Sequence, residues 1–150
     1  MSCLRRVSDA DEACCFSTLA PSSQRPTPLT QITLPAPGFS RAHPGPFIVT
    51  GLVVSEASYL LGKYLEPPAE AALLRALATD RFRIEPLAAA DLKRMADLVE
   101  QYAELGLGGT DASLIAVAER LGLVDIATID HRHFTVVPPA HASAFRLLPE

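Results

Sequence analysis

No apolar run in this 150-residue chain comes near the ~20 residues that a membrane-spanning helix requires, so a membrane protein is not expected. The opening Met1-Ser2-Cys3-Leu4-Arg5-Arg6 passes into acids and prolines instead of a continuous apolar segment. No secretory signal is read there, and the cytoplasm is the expected compartment. Cysteine is scarce: Cys3, Cys14 and Cys15 crowd one end, with no CxxC or Cys/His spacing that suggests zinc. They read as reduced thiols. Cations are also short, with 13 Lys+Arg against 17 Asp+Glu and a net charge of −4. Such a chain does not coat nucleic acid by bulk electrostatics, because phosphate neutralisation needs clustered cations. Any nucleic-acid chemistry must come from a local site where metal ions offset carboxylate charge. Internal repeats are absent.

What is present suffices for one domain. Hydrophobic residues make up 49% and charged residues 20%, which rules out a wholly disordered chain. Composition changes abruptly near residue 46. Before it stand seven of the 13 prolines (Pro21, Pro26, Pro28, Pro35, Pro37, Pro44 and Pro46), which interrupt every helical or alternating period. Residues 1–44 read as an atypical proline-rich arm and residues 45–150 as the domain. At most, Asp11 to Leu19 makes a short helix and Leu29 to Leu34 an extended piece.

From Phe47 onward the pattern is regular. Phe47-Ile48-Val49 reads as a buried strand. Leu52 to Leu65 follows helical spacing, with Val53, Ala57, Leu60, Leu61 and Tyr64 on one stripe. Glu66-Pro67-Pro68 breaks it, and Ala69 to Thr79 forms a second helix. Phe82 to Pro86 alternates as a strand. Asp91 to Leu105 is a third helix, with Leu92, Met95, Leu98, Val99 and Tyr102 inward. After Gly106-Leu107-Gly108-Gly109, Thr110 or Asp111 caps a fourth helix ending at Gly122. Val124 to Ile129, Phe134 to Val137 and Phe145 to Leu148 read as strands. Helices alternating with short apolar strands predict an α/β fold with a largely parallel sheet. Functional groups in such folds gather at the carboxyl ends of strands.

Most carboxylates, Glu119 among them, fall on polar faces or turns. Three do not. Glu56 borders the apolar stripe of the first helix, where an ionised Glu needs a cation or several donors; a nearby amide or arginine answers that need as well as a ligand does. Asp111 opens a helix apolar nearly all round, so its capped end points into the protein or a cleft, although an N-cap Asp is common. Asp130 ends a strand, with Thr128 before it and His131-Arg132-His133-Phe134 after it; a loop-capping role is the plain alternative. Converging at one sheet edge, the three would suit Mg²⁺ or Mn²⁺, which take oxygen ligands. The spacing permits this without requiring it. His43 and His141 receive no role.

The stretches GPFIVTGLVVSEASYLL and LGGTDASLIAVAERLGLVDIATIDHRHF resemble the PIN-domain toxins of the VapC family, over roughly residues 45–148. The resemblance implies a PIN-like three-layer sandwich, a mostly parallel sheet flanked by helices. It implies a Mg²⁺- or Mn²⁺-dependent endoribonuclease, half of a type II toxin–antitoxin pair, with Glu56, Asp111 and Asp130 as the acidic catalytic metal site. Thr110, Thr128, Arg132 and His133 are neighbours suited to water or phosphate. It further implies structured RNA such as transfer RNA as substrate, a VapB-like antitoxin and a homodimer. One part of the pattern is missing. Family members begin with a central strand ending in Asp, and nothing in residues 1–46 reproduces it: Asp9 and Asp11 follow Leu4-Arg5-Arg6-Val7-Ser8, a poor buried strand. The break in composition points to a divergent or frame-altered N-terminus; no Asp-Thr-Ser-like strand in any neighbouring frame would count against that. The competing reading is a catalytically impaired PIN-like module that binds an antitoxin or dimerises without cutting RNA.

Overall fold

The computed structural model describes Leu4–Arg6 as backbone, together with residues 46–128 and 130–148. The expected pieces at 11–19 and 29–34, and all three cysteines, lie outside the described residues. In chain order the elements are β1 (Leu4–Arg6), β2 (Phe47–Thr50), α1 (Gly51–Tyr64), α2 (Pro67–Leu77), β3 (Phe82–Glu85), α3 (Ala89–Gln101), α4 (Gly109–Leu121), β4 (Leu123–Ala127), α5 (Arg132–Val136) and β5 (Arg146–Leu148). A 3₁₀ turn, Ala103–Leu105, leads to Gly106, whose φ of 72° is the left-handed turn that lets the chain double back toward α4.

The five strands form one sheet in the order β3-β2-β1-β4-β5. β2 pairs parallel with β3, and β4 with β5, whereas β1 runs antiparallel to both its neighbours. Leu4 lies opposite Ile48 on one side and Ile126 on the other. Four strands thus share a direction, and their carboxyl ends share an edge. The α/β fold expected from the alternation of elements, and the PIN-like sandwich that the resemblance implies, are what is found. The short leading segment, a poor strand by sequence, occupies the central position with reversed direction.

Burial explains the elements. Phe47, Ile48 and Val49 are at most 1% exposed, as a strand covered on both faces demands. On α1, Val53, Ala57 and Leu61 turn inward at helical spacing, while Tyr64 stays exposed. The two prolines after Glu66 start α2 instead of merely ending α1, since a proline in the first turn lacks only an N–H that has no helical partner anyway. Along α4, Asp111 to Ala118 are all buried. That helix lies at the centre of the core and packs against α3, α1 and the sheet.

Two expectations change. Phe134 to Val137 is no strand: the amides of Thr135 and Val137 donate to the carbonyls of His131 and His133 at 3.0 and 2.9 Å. Phe134 and Val137 are buried while Thr135 and Val136 are exposed, a spacing of three that a helical turn satisfies and a strand does not. Leu92, expected inward on α3, is exposed, and its neighbour Asp91 is buried in its stead.

Candidate functional site

The carboxyl edge of the sheet joins three segments: the β2–α1 junction, the first turn of α4, and the loop leading into α5. A line of hydroxyls ties the first two. Thr50, fully buried at the end of β2, accepts the Val53 amide at 3.4 Å as the N-cap of α1. Its Oγ1 lies 2.7 Å from Oγ of Ser113, which donates its single proton to the Thr110 carbonyl at 2.6 Å. Thr50 must then be the donor to Ser113. Sequence reasoning passed over both hydroxyls; a Ser inside an otherwise apolar helix was the available signal.

Asp111 sits in the first turn of α4, where unpaired amides and the helix dipole favour an anion. The cap itself is Gly108, so Asp111 stands three positions inside the helix and not at its cap. His133 of α5 donates from Nδ1 to Asp111 Oδ2 at 2.7 Å, with the two residues 3% and 5% exposed. An ionised carboxylate only accepts, which places the proton on Nδ1.

Asp130 is held in a turn shaped by Thr128. Its amide donates to Thr128 Oγ1 at 3.0 Å, that hydroxyl donates to the Asp130 carbonyl at 2.9 Å, and the Thr128 amide is anchored on the Leu148 carbonyl at 2.8 Å. Arg132 folds back on the Asp130 carboxylate as a fork, Nε to Oδ1 at 3.1 Å and Nη2 to Oδ2 at 2.9 Å, while its own amide reaches Oδ1 at 3.2 Å. The guanidinium holds the Asp130 carboxyl below the usual aspartate range against the opposing effect of burial, aided by the Arg132 amide and the charge of His133. Arg132 in turn is pushed up by Asp130 first and also by the charge of Asp111. Asp111 and Asp130 therefore share one electrostatic neighbourhood, each beside a cation-capable residue of α5.

Glu56 stands differently. It lies half-buried on the second turn of α1, beside the buried Val53 and Ala57. Among the described residues, no group of three or more His, Cys, Asp or Glu is arranged to hold a metal ion. Asp111 and Asp130, which pair with adjacent residues of α5, offer carboxylate oxygens, the donor chemistry that Mg²⁺ and Mn²⁺ select. Mg²⁺ is commonly held by one or two carboxylates with water completing its shell, so Asp111 and Asp130 fit such a cation.

Other buried acids were not foreseen. Asp91 accepts Nε of Arg120 at 3.0 Å on each oxygen and the Ala88 amide at 2.8 Å. Asp125, 1% exposed on β4, meets Arg146 of β5 in a bidentate pair at 2.7 Å. Glu119, expected on a solvated face, takes two bonds from Arg94 at 2.8 and 2.9 Å and one from the Ala140 amide. Each acid here meets an arginine far along the chain, a pairing that spacing along one helix does not reveal.

The PIN domain family model matches residues 38–138. Ribonuclease VapC26 of Mycobacterium tuberculosis (strain ATCC 25618 / H37Rv) is 31% identical over 102 residues, 68% of this chain and 76% of that protein. A crystal structure of Mycobacterium tuberculosis VapC20, a Sarcin-Ricin loop cleaving toxin, superposes with a TM-score of 0.49 at 19% identity, over 52% of this chain and 60% of that one. By family match and identity together, the chain belongs to the PIN-domain proteins of the VapC family.

Proposed function

We propose that this protein is the endoribonuclease toxin of a type II toxin–antitoxin pair, hydrolysing RNA phosphodiesters at an acidic site with Mg²⁺ or Mn²⁺. The observation that carries the reading is that Asp111 and Asp130, on separate elements, pair with adjacent residues of α5, His133 and Arg132. Membership of a family that includes a named ribonuclease supports it. A bound divalent cation supplies Lewis-acid activation of water and offsets charge developing on the phosphate.

The chain's own residues do the rest. Asp111 and Asp130 give the anionic oxygens, and Glu56 adds a third acid from α1. His133 fixes the rotamer of Asp111, so that one carboxylate oxygen is aimed before any ligand arrives. The Thr50–Ser113 link locks the start of α1 to the start of α4 and so holds the distance between the Glu56 and Asp111 helices. With a net charge of −4, the protein suits selective cutting better than indiscriminate binding of RNA. A VapB-like antitoxin, a homodimeric state and a cytoplasmic location belong to the same reading.

Asp111→Asn is expected to lower Mn²⁺-dependent cleavage of a structured RNA by roughly a hundredfold or more without unfolding the protein. Cleavage by the pure protein that survives this change, or runs equally well in excess EDTA, overturns the mechanism.

One observation favours a second reading. The central strand, Leu4–Arg6, carries no carboxylate, which suits a PIN module that associates with an antitoxin or another copy without cutting RNA. Calorimetry separates the two: measurable Mn²⁺ binding favours the enzyme, and antitoxin association without Mn²⁺ binding favours the module.

A further inference from the structure

Like Arg146 on Asp125 and unlike Arg120 on Asp91, Arg132 grips an enclosed acid while its own side chain stays largely in solvent. Its partner Asp130 is largely enclosed, with a side chain 15% exposed, whereas the Arg132 side chain is 56% exposed. Arg120, by contrast, spreads its three nitrogens over Asp91, Glu85 and the Pro86 carbonyl. Among the described residues, Arg132 makes its side-chain bonds to Asp130 alone, its neighbour two residues away. A cation resting on a site's carboxylate occupies the oxygens that a divalent ion requires, and two positive charges do not share one carboxylate without cost. A guanidinium fork also matches the oxygens of a phosphodiester as well as it matches a carboxylate.

We infer that Arg132 exchanges partners during binding: it is the internal counter-ion of Asp130 in the cation-free protein, and a divalent cation displaces it onto a phosphate of the RNA. This rests on the endoribonuclease reading and adds a substrate-holding residue to it. The exchange makes cation and RNA binding mutually favourable, because whichever arrives first moves the guanidinium to where the other benefits. By linkage the factor is the same in both directions. It also leaves cation-free Asp130 neutralised beside Asp111, so the apo protein does not carry two uncompensated acids at one edge.

The test is a binding cycle on the full chain, with Mn²⁺ and a 2′-O-methyl RNA oligonucleotide that resists cleavage, measured by calorimetry. Wild type is expected to bind Mn²⁺ about fivefold more tightly with the oligonucleotide present than without it. Arg132→Gln is expected to bind Mn²⁺ alone about fivefold more tightly than wild type, to lose that coupling, and to melt lower than wild type only when Mn²⁺ is absent. Arg132→Lys, which keeps the charge but not the fork, falls between them. Mn²⁺ affinity in Arg132→Gln no tighter than in wild type, or coupling undiminished by the change, overturns the exchange while leaving Mn²⁺-dependent cleavage by wild type intact. If wild type binds neither Mn²⁺ nor the oligonucleotide and cuts no RNA, the endoribonuclease reading falls and the exchange falls with it.

Discussion

The two ends of α4 place acids and bases side by side to opposite effect. At its carboxyl end, Arg120 and Glu119 are saturated: Arg120 meets Asp91, Glu85 and the Pro86 carbonyl, and Glu119 meets Arg94 and the Ala140 amide. These bonds join α4 to α3, to the end of β3 and to the loop before β5. At its amino end, Asp111 faces His133, and the neighbouring Asp130 holds an exposed arginine. One end uses charge to fix elements in place. At the other, Asp111 and His133 are buried together while Arg132 leaves its guanidinium largely in solvent. Charge pairing on its own therefore does not mark a functional site.

Breaking the structural end is expected to have the larger effect on stability. Arg120→Ala strands Asp91, 3% exposed, without its bidentate cation. Unfolding by urea is expected to show a loss of about 2–4 kcal/mol, since an unpaired buried carboxylate costs far more than the pair contributes. The Arg132→Gln variant removes a two-nitrogen fork on Asp130, and in saturating Mn²⁺ its melting point is expected to match wild type. Equal losses in the two variants erase the contrast.

The next effect is local. Gly122 ends α4 with φ of 66°, its amide bonding back to Ala118 and Glu119 carbonyls. Gly122→Ala meets open space but a strained backbone, and is expected to cost about 1–2 kcal/mol by thermal unfolding. Gly109, in the first turn at the other end, needs no positive φ, so Ala there is expected to be tolerated.

The smallest effect is acid sensitivity. Burial pulls the Glu119 carboxyl upward, but the Arg94 fork and the Ala140 amide outweigh it and hold it below 4.5. A carboxyl lowered by folding stabilises the fold above its unfolded value, and that contribution fades as pH falls through the lowered one. The melting point is therefore expected to drop as pH falls below about 4.5, and Glu119→Gln to drop by about 2–4 °C less over the same range. An identical pH profile in both proteins removes Glu119 from the structural set.

Much of this was legible along the chain. The strand at Phe47, the helices at Leu52 and Asp91, and the buried helix after Gly109 each announce themselves by spacing of apolar residues, and the structure places them within a few residues of expectation. That Asp111 stands in the first turn of a buried helix and Asp130 just beyond a strand end was legible from the sequence. The His133 contact was not, because it depends on Arg132–Val136 coiling into a turn that brings the third residue of HRH back over α4. Five residues are too few for period alone to separate helix from strand. Asp91, Asp125 and Glu119 were unreadable for another reason: their arginines lie 21 to 29 residues away, and only the folded chain shows which acids have found one. Glu56 remains where helical spacing put it, at the rim of the α1 stripe.

The reversed strand in the middle of the sheet sets a timetable. Leu4–Arg6 emerges from the ribosome before any of its neighbours exist, yet it must lie between Ile48 and Ile126. The sheet can assemble its β2–β3 half early, but the two halves are bridged only after β4 has been made, so closure pairs strands far apart along the chain and comes late in synthesis.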